Sequence, residues 1–135
     1  MVVKNIMKTI IKLIKENPDA IYGKGANEVD IVEAEEKLEL KFADEYREYL
    51  SAFAIAAIDG NEFTGLSKSS RTNVVPVTQN QRRLLHGIPA DWYVIEETNI
   101  DGIIIWQSTD GTIYQTSPNT SAKKIADSFE QYLLS

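Results

Sequence analysis

Apolar residues recur along this chain at two different periods. In the N-terminal third the spacing is helical: Val3, Ile6, Met7, Ile10, Leu13 and Ile14 share one face, and Lys4, Lys8, Lys12 and Lys15 lie on the other. A helix is therefore predicted over residues 3–16, ended by Asn17-Pro18 because the residue before proline disfavours helical backbone. After the YGKGAN loop, Asn27 and Asp30 stand in a capping-box-like relation at the start of a second helix that ends near Leu40. A third is predicted from Asp44, since Asp44 and Glu45 suit a positive helix N-terminus. Tyr46, Tyr49, Leu50, Phe53 and Ala57 form its stripe, and Asp59-Gly60 stops it.

Beyond Gly60 the period changes. Residues 62–66 and 73–77 read as short strands around a Ser/Lys/Arg loop, and Thr78 with Gln81 as a capping box for a short helix ending before Gly87. Residues 92–97, 102–107 and 112–116 read as strands rich in β-branched and aromatic side chains, with Asp110-Gly111 as the turn between the last two. Ser121 is the expected cap of a final helix that turns Ile125, Phe129, Tyr132 and Leu133 inward. Helices first, strands together and a helix last predict an α+β fold, with N-terminal helices packed on one mostly antiparallel sheet and a C-terminal helix. No repeat or linker divides the chain, so residues 1–135 are expected to form a single domain.

One position breaks the pattern. On the second helix Ile31, Ala34 and Leu38 define the buried face, and the i+4 slot of that face holds Glu35. An ionised carboxylate there must accept backbone N–H groups or pair with a cation.

Composition narrows the classes. With 43% hydrophobic residues in 135, the chain can bury one real core. No apolar run approaches the roughly 20 residues of a membrane span. Lysines interrupt the N-terminal segment at helical spacing, unlike a secretory signal, and a core-covering helix explains that segment without a membrane. The absence of cysteine excludes disulfides and thiolate metal sites, and cytoplasmic residence is expected. A formal charge of −6 argues against nucleic-acid binding, which is driven by phosphate neutralisation. The charge is also uneven: residues 19–62 carry twelve acids against Lys24, Lys37, Lys41 and Arg47. That is either a solvated face or a docking surface for a basic partner.

Reactive chemistry is hard to assemble. His86 is the only histidine and precedes a glycine at a predicted helix end, where it holds late carbonyls or faces water. The chain has no HExxH and no G-x-S-x-G, and GLSKSSR lacks the spacing of a phosphate-binding loop. GKG alone is a weak signal. Asp59, Asp101 and Asp110 adjoin glycines, where turn geometry alone favours aspartate. Trp92 and Trp106 read as sheet core or partial surface, with partner anchoring as the other reading. No catalytic residue, metal or cofactor is expected, and the chain is not expected to be an enzyme. A carboxylate metal site would be the enzymatic alternative, and no spacing singles one out.

Three blocks in order carry a family resemblance. The first is Ile31, Glu35 and Leu38, then a short linker and Asp44-Glu45-Tyr46-Arg47-Glu48-Tyr49-Leu50. The second runs from Asp59-Gly60 through Phe63-Thr64-Gly65-Leu66 to Val74, Val75, Thr78 and an arginine at 82 or 83. The third is Ile88-Pro89-Ala90-Asp91, Val94-Ile95, the Gly102 hairpin and Ser128-Phe129-Glu130-Gln131-Tyr132-Leu133. Over residues 27–135 this resembles the SUKH superfamily, named partly after yeast cell-wall-assembly regulators. Ala43 stands for the pattern's proline and Glu39 for its glycine, and the stretch after Phe53 is unusually rich in alanine.

The resemblance implies a binding module. Many bacterial members look like immunity proteins that bind a cognate toxin, often a nuclease, and block its activity in the producing cell; for this chain, occlusion of the toxin's active site is expected. Eukaryotic members resemble regulatory scaffolds, and an intracellular interaction module without a toxin is the alternative. The acidic balance fits a nuclease partner, whose site attracts a polyanion. Exposed acids at element ends are the expected partner-binding residues: Asp59, Glu62, Glu97, Asp101 and Asp110. The chain itself is expected as a monomer or weak homodimer.

Overall fold

The computed structural model describes residues 9–135. Of the first predicted helix, Val3, Lys4, Ile6, Met7 and Lys8 lie outside the described residues. Its described part, α1 (Thr9–Lys15), buries Ile10 and Ile14. The chain turns at Asn17, whose side-chain oxygen accepts the Asp19 N–H at 2.8 Å, and enters a short strand, β1 (Ala20–Tyr22). In α2 (Glu28–Leu38) the predicted cap forms: Asn27 Oδ1 accepts the Asp30 N–H at 2.9 Å. The helix stops at Leu38 because Glu39 adopts the left-handed conformation, φ 57°.

The predicted stripe of α3 (Asp44–Phe53) is buried at Tyr46, Tyr49, Leu50 and Phe53. Its expected continuation to Asp59 does not form. Ala54 turns left-handed at φ 65°, and its carbonyl accepts the Leu66 N–H at 2.8 Å. Gly65 permits that approach, since a Cβ there would lie 1.8 Å from the same oxygen. Residues 56–58 then form β2 (Ala56–Ile58), so Ala57 belongs to a strand.

After β3 (Asn61–Phe63), Asn73 is extended but residues 74–77 are helical. They are the first turns of α4 (Val74–Leu84), capped by Asn73 through the Val75 N–H at 3.0 Å. Pro76 is tolerated in that first turn, where an N–H has no intrahelical acceptor. Thr78 therefore sits inside the helix instead of capping it. The strands β4 (Trp92–Glu97), β5 (Ile104–Ser108) and β6 (Ile113–Thr116) lie close to their predicted positions. The final helix starts later than expected. Residues around 125 form β7 (Lys123–Ala126), and Ser128, not Ser121, caps α5 (Phe129–Leu134) by accepting the Gln131 N–H at 3.0 Å.

The seven strands follow one another in chain order, each antiparallel to its neighbours, giving an α+β fold with five helices among the described residues. One sheet face, with Phe63, Tyr93, Ile95, Ile105 and Ile113, joins the residues of α1, α2, α3 and α5 in the main core. On the other face Trp92, Val94, Ile104 and Trp106 pack with Val77 of α4. Both tryptophans are thus sheet core.

Two local features hold the layers together. A bulge between Val94 and Glu96 shifts the register of β4, so Glu96 accepts from Tyr132 of α5 at 2.5 Å while Glu97 accepts from Gln81 of α4 at 2.7 Å. Since β3 is short, the first half of β4 lacks a strand on that side, and side chains cover its edge instead. The Thr64 hydroxyl donates to Val94 O at 2.7 Å, Thr78 Oγ1 accepts the Val94 N–H at 3.0 Å, and Arg82 donates to Trp92 O at 3.4 Å.

Candidate partner-binding face

Three connections gather at one end of the sheet. The β2–β3 turn is Asp59-Gly60, with φ of 52° and 82° between the paired residues Ile58 and Asn61. Two consecutive positive φ values make the type I′ turn that suits the twist of a hairpin, which is why Asp-Gly occupies it. The β4–β5 loop is tied by Thr98, whose hydroxyl donates to Ile103 O at 2.8 Å. Gly102 of that loop lies against Pro118 of the β6–β7 loop.

Four of the five expected residues sit at this end. Asp59 is in its turn, Glu62 on β3, Glu97 at the end of β4 and Asp101 in the β4–β5 loop. Their states differ. The Arg71 guanidinium binds Glu62 at 2.5 Å and holds its carboxyl below the ordinary range. Glu97 is bonded to Gln81. Asp59 and Asp101 are exposed. The sequence reading missed Asp19. Pairing of β1 with β2 sets it beside Asp59, and its carboxyl raises that of Asp59 through a shared hydrogen bond and like charge. Among the described residues neither aspartate has a cation partner.

Asp110 is elsewhere. It lies in the β5–β6 turn at the opposite end of the sheet, on a groove of about 750 Å³ that also meets Asp44, Glu45, Glu48 and Glu130. Hydrogen bonds from Ser108 and Thr112 hold its carboxyl below the ordinary range, so it stays ionised. The groove includes Glu45, which the sequence placed only at the start of the third helix. Its carboxylate accepts the Phe129 and Glu130 N–H groups at 2.7 and 2.8 Å and Gln107 Nε2 at 3.0 Å, tying α3 to α5 and β5.

Glu35 answers the puzzle of the buried stripe. Its carboxylate accepts the Phe42 N–H at 2.8 Å and lies 3.7 Å from Arg47, which also pairs with Glu28. The residue is 3% exposed and belongs to the scaffold behind the face. His86 is exposed. Among the described residues, no group of three or more acids and histidines is placed to hold a metal, and no helix is long and apolar enough to cross a membrane.

The family model described as SMI1-KNR4 cell-wall, of the SUKH group, matches residues 7–135. The chain belongs to the SUKH family. Its fold also matches a crystal structure of a protein from Pseudomonas syringae pv. tomato, with a TM-score of 0.72 over 94% of each chain at 19% identity. No curated protein matches the sequence. Of the two candidate arginines, Arg82 is the one whose guanidinium bonds the backbone of α2 and the segment entering β4, whereas Arg83 bonds Asn80 beside it.

Proposed function

We propose that this chain is an immunity protein: it binds a cognate protein toxin in the cytoplasm and covers the toxin's active site. It performs no chemistry of its own and needs no metal or cofactor. The observation that carries this reading is the Asp19–Asp59 pair, two carboxylates side by side at the sheet end with no cation among the described residues. Like charges so placed repel, and a basic partner surface would relieve that repulsion on docking.

Asp101 and Glu97 extend the negative surface at the same end, where Glu62 is paired with Arg71, and Asp110 marks a second acidic area at the other. A nuclease active site, built to attract a polyanion, has the complementary sign. The SUKH membership supports a binding role in general.

Co-purification with the product of the adjacent gene, together with co-expression, tests the reading. The expected result is a stable complex and relief of that product's toxicity. A neighbouring product that neither binds nor poisons the cell would contradict it and favour a regulatory module without a toxin.

A further inference from the structure

The two edges of the sheet are built differently. At β7 the outer strand carries Lys123 and Lys124, both exposed, a common guard against strand addition. At β1 the outer strand is Ala20-Ile21-Tyr22, with no charge in it, and Ile21 is 76% exposed. Among the described residues nothing pairs along its outer side. The strand is nevertheless held in place, because the Tyr22 ring packs on Phe53 at 4.7 Å and Gly23 N–H donates to Ile55 O at 3.0 Å.

Hydrogen-bond parity defines what this edge offers. Asp59 N–H donates to Asp19 O and Gly23 N–H to Ile55 O, so the odd-numbered residues of this segment turn their polar groups toward β2. Those of Ala20 and Tyr22 point outward. The Ala20 N–H is already bonded to Asn17 O at 3.1 Å, which leaves the Tyr22 N–H and the Ala20 carbonyl for a new strand.

We propose that β1 pairs antiparallel with β1 of a second copy of this chain, about a two-fold axis at Ile21. In that register the Tyr22 N–H of each copy meets the Ala20 carbonyl of the other. The two Ile21 residues form a non-hydrogen-bonded pair, the arrangement in which side chains across a ladder lie closest. Charge fits the same register. Lys24 has no ion-pair partner among the described residues, and it lies two residues beyond β1, at the end of the contact where the second copy's Asp19 and Asp59 stand. Both ends of the contact thus match an unpaired cation with an unpaired acid pair, by symmetry. A contact built on three residues is small, so the dimer is weak and forms at high concentration.

Sedimentation equilibrium of the whole chain from micromolar to millimolar concentration tests this. The mass should rise from 15.2 kDa toward twice that value, and Ile21→Lys should weaken association by about tenfold or more with an unchanged thermal melt. Hydrogen exchange supplies the residue-level readout, because the Tyr22 amide should gain protection as concentration rises. Lys24→Glu and Asp19→Lys should each fail to self-associate, and should form a heterodimer when mixed. A chain that stays monomeric throughout overturns the proposal, as does a dimer indifferent to Ile21→Lys.

Discussion

The Glu35 carboxylate accepts the backbone N–H of Phe42 at 2.8 Å across the connection between α2 and α3. A negative charge on a buried helix stripe is thereby turned into a tie between two helices, with Arg47 supplying the counter-charge at 3.7 Å. Glu35→Ala should cost on the order of 1–3 kcal/mol, because it strands the Phe42 N–H and the buried end of Arg47. Glu35→Gln should cost less, since its amide oxygen can still accept from Phe42. Urea melts of the two variants check the order, and an alanine variant as stable as the parent would refute the role.

Glu45 holds α5 by the same chemistry. It accepts two N–H groups from the first turn of that helix and a third bond from Gln107, which itself accepts from Tyr93. Glu45→Ala should lose roughly 1.5–3 kcal/mol, as expected for hydrogen bonds to a charged group. Exchange of the Phe129 and Glu130 amides should accelerate more than that of amides in β5. Uniform acceleration across the chain would mean that Glu45 has no special hold on α5.

Alkali should unfold this protein cooperatively. Burial raises the phenols of Tyr46, Tyr49 and Tyr93 above their ordinary value of 10. Their folded-state values exceed the unfolded ones, so the stabilisation is fully present below pH about 10 and is lost as pH rises above it. Three phenols held protonated give a slope of roughly 4 kcal/mol per pH unit in that window. Tyrosinate absorbance from these residues should appear together with loss of near-ultraviolet circular dichroism. Ionisation well before the structure is lost would contradict their burial.

Glu39 occupies a left-handed position, φ 57°, at the end of α2, a conformation that favours glycine. An L residue there costs roughly 1–2 kcal/mol in conformation, and part of this returns as unfolded-chain entropy when glycine is introduced. Glu39→Gly should therefore stabilise the protein by about 0.5–1 kcal/mol in a thermal melt. A lower melting temperature would show that the Glu39 side chain contributes more than its backbone costs.

Much of the fold was legible because several elements announce themselves locally. Asn27 caps α2 as its spacing with Asp30 implies, and the stripe from Tyr46 to Phe53 is the buried face of α3. The misreadings arose where a cap or a long-range contact overrode the strand or helix preference of the side chains. The valines of residues 74–77 favour strands, yet Asn73 caps them into a helix that covers the open edge of β4. Nothing in the alanine-rich stretch after Phe53 shows that Leu66 will take the Ala54 carbonyl and end α3 there. Ser121 looked like a cap, but residues 123–126 found a partner in β6.

The candidate face was legible only in part. Turn chemistry and charge nominated Asp59 and Asp101, which lie at one end of the sheet. Asp19 was missed because its neighbour is forty positions away in sequence and reaches it through a three-residue strand too short to show a period. Asp110 carries the same local Asp-Gly signal as Asp59, and only the strand order places the two at opposite ends of the sheet.

The most direct test of the acidic-docking account is the association rate constant with the adjacent gene's product, measured across ionic strength. The prediction is a rate that falls steeply as salt rises, and that is already reduced at low salt in the Asp19→Lys, Asp101→Lys double variant with its melt unchanged. A rate flat across salt and indifferent to the two substitutions would contradict it.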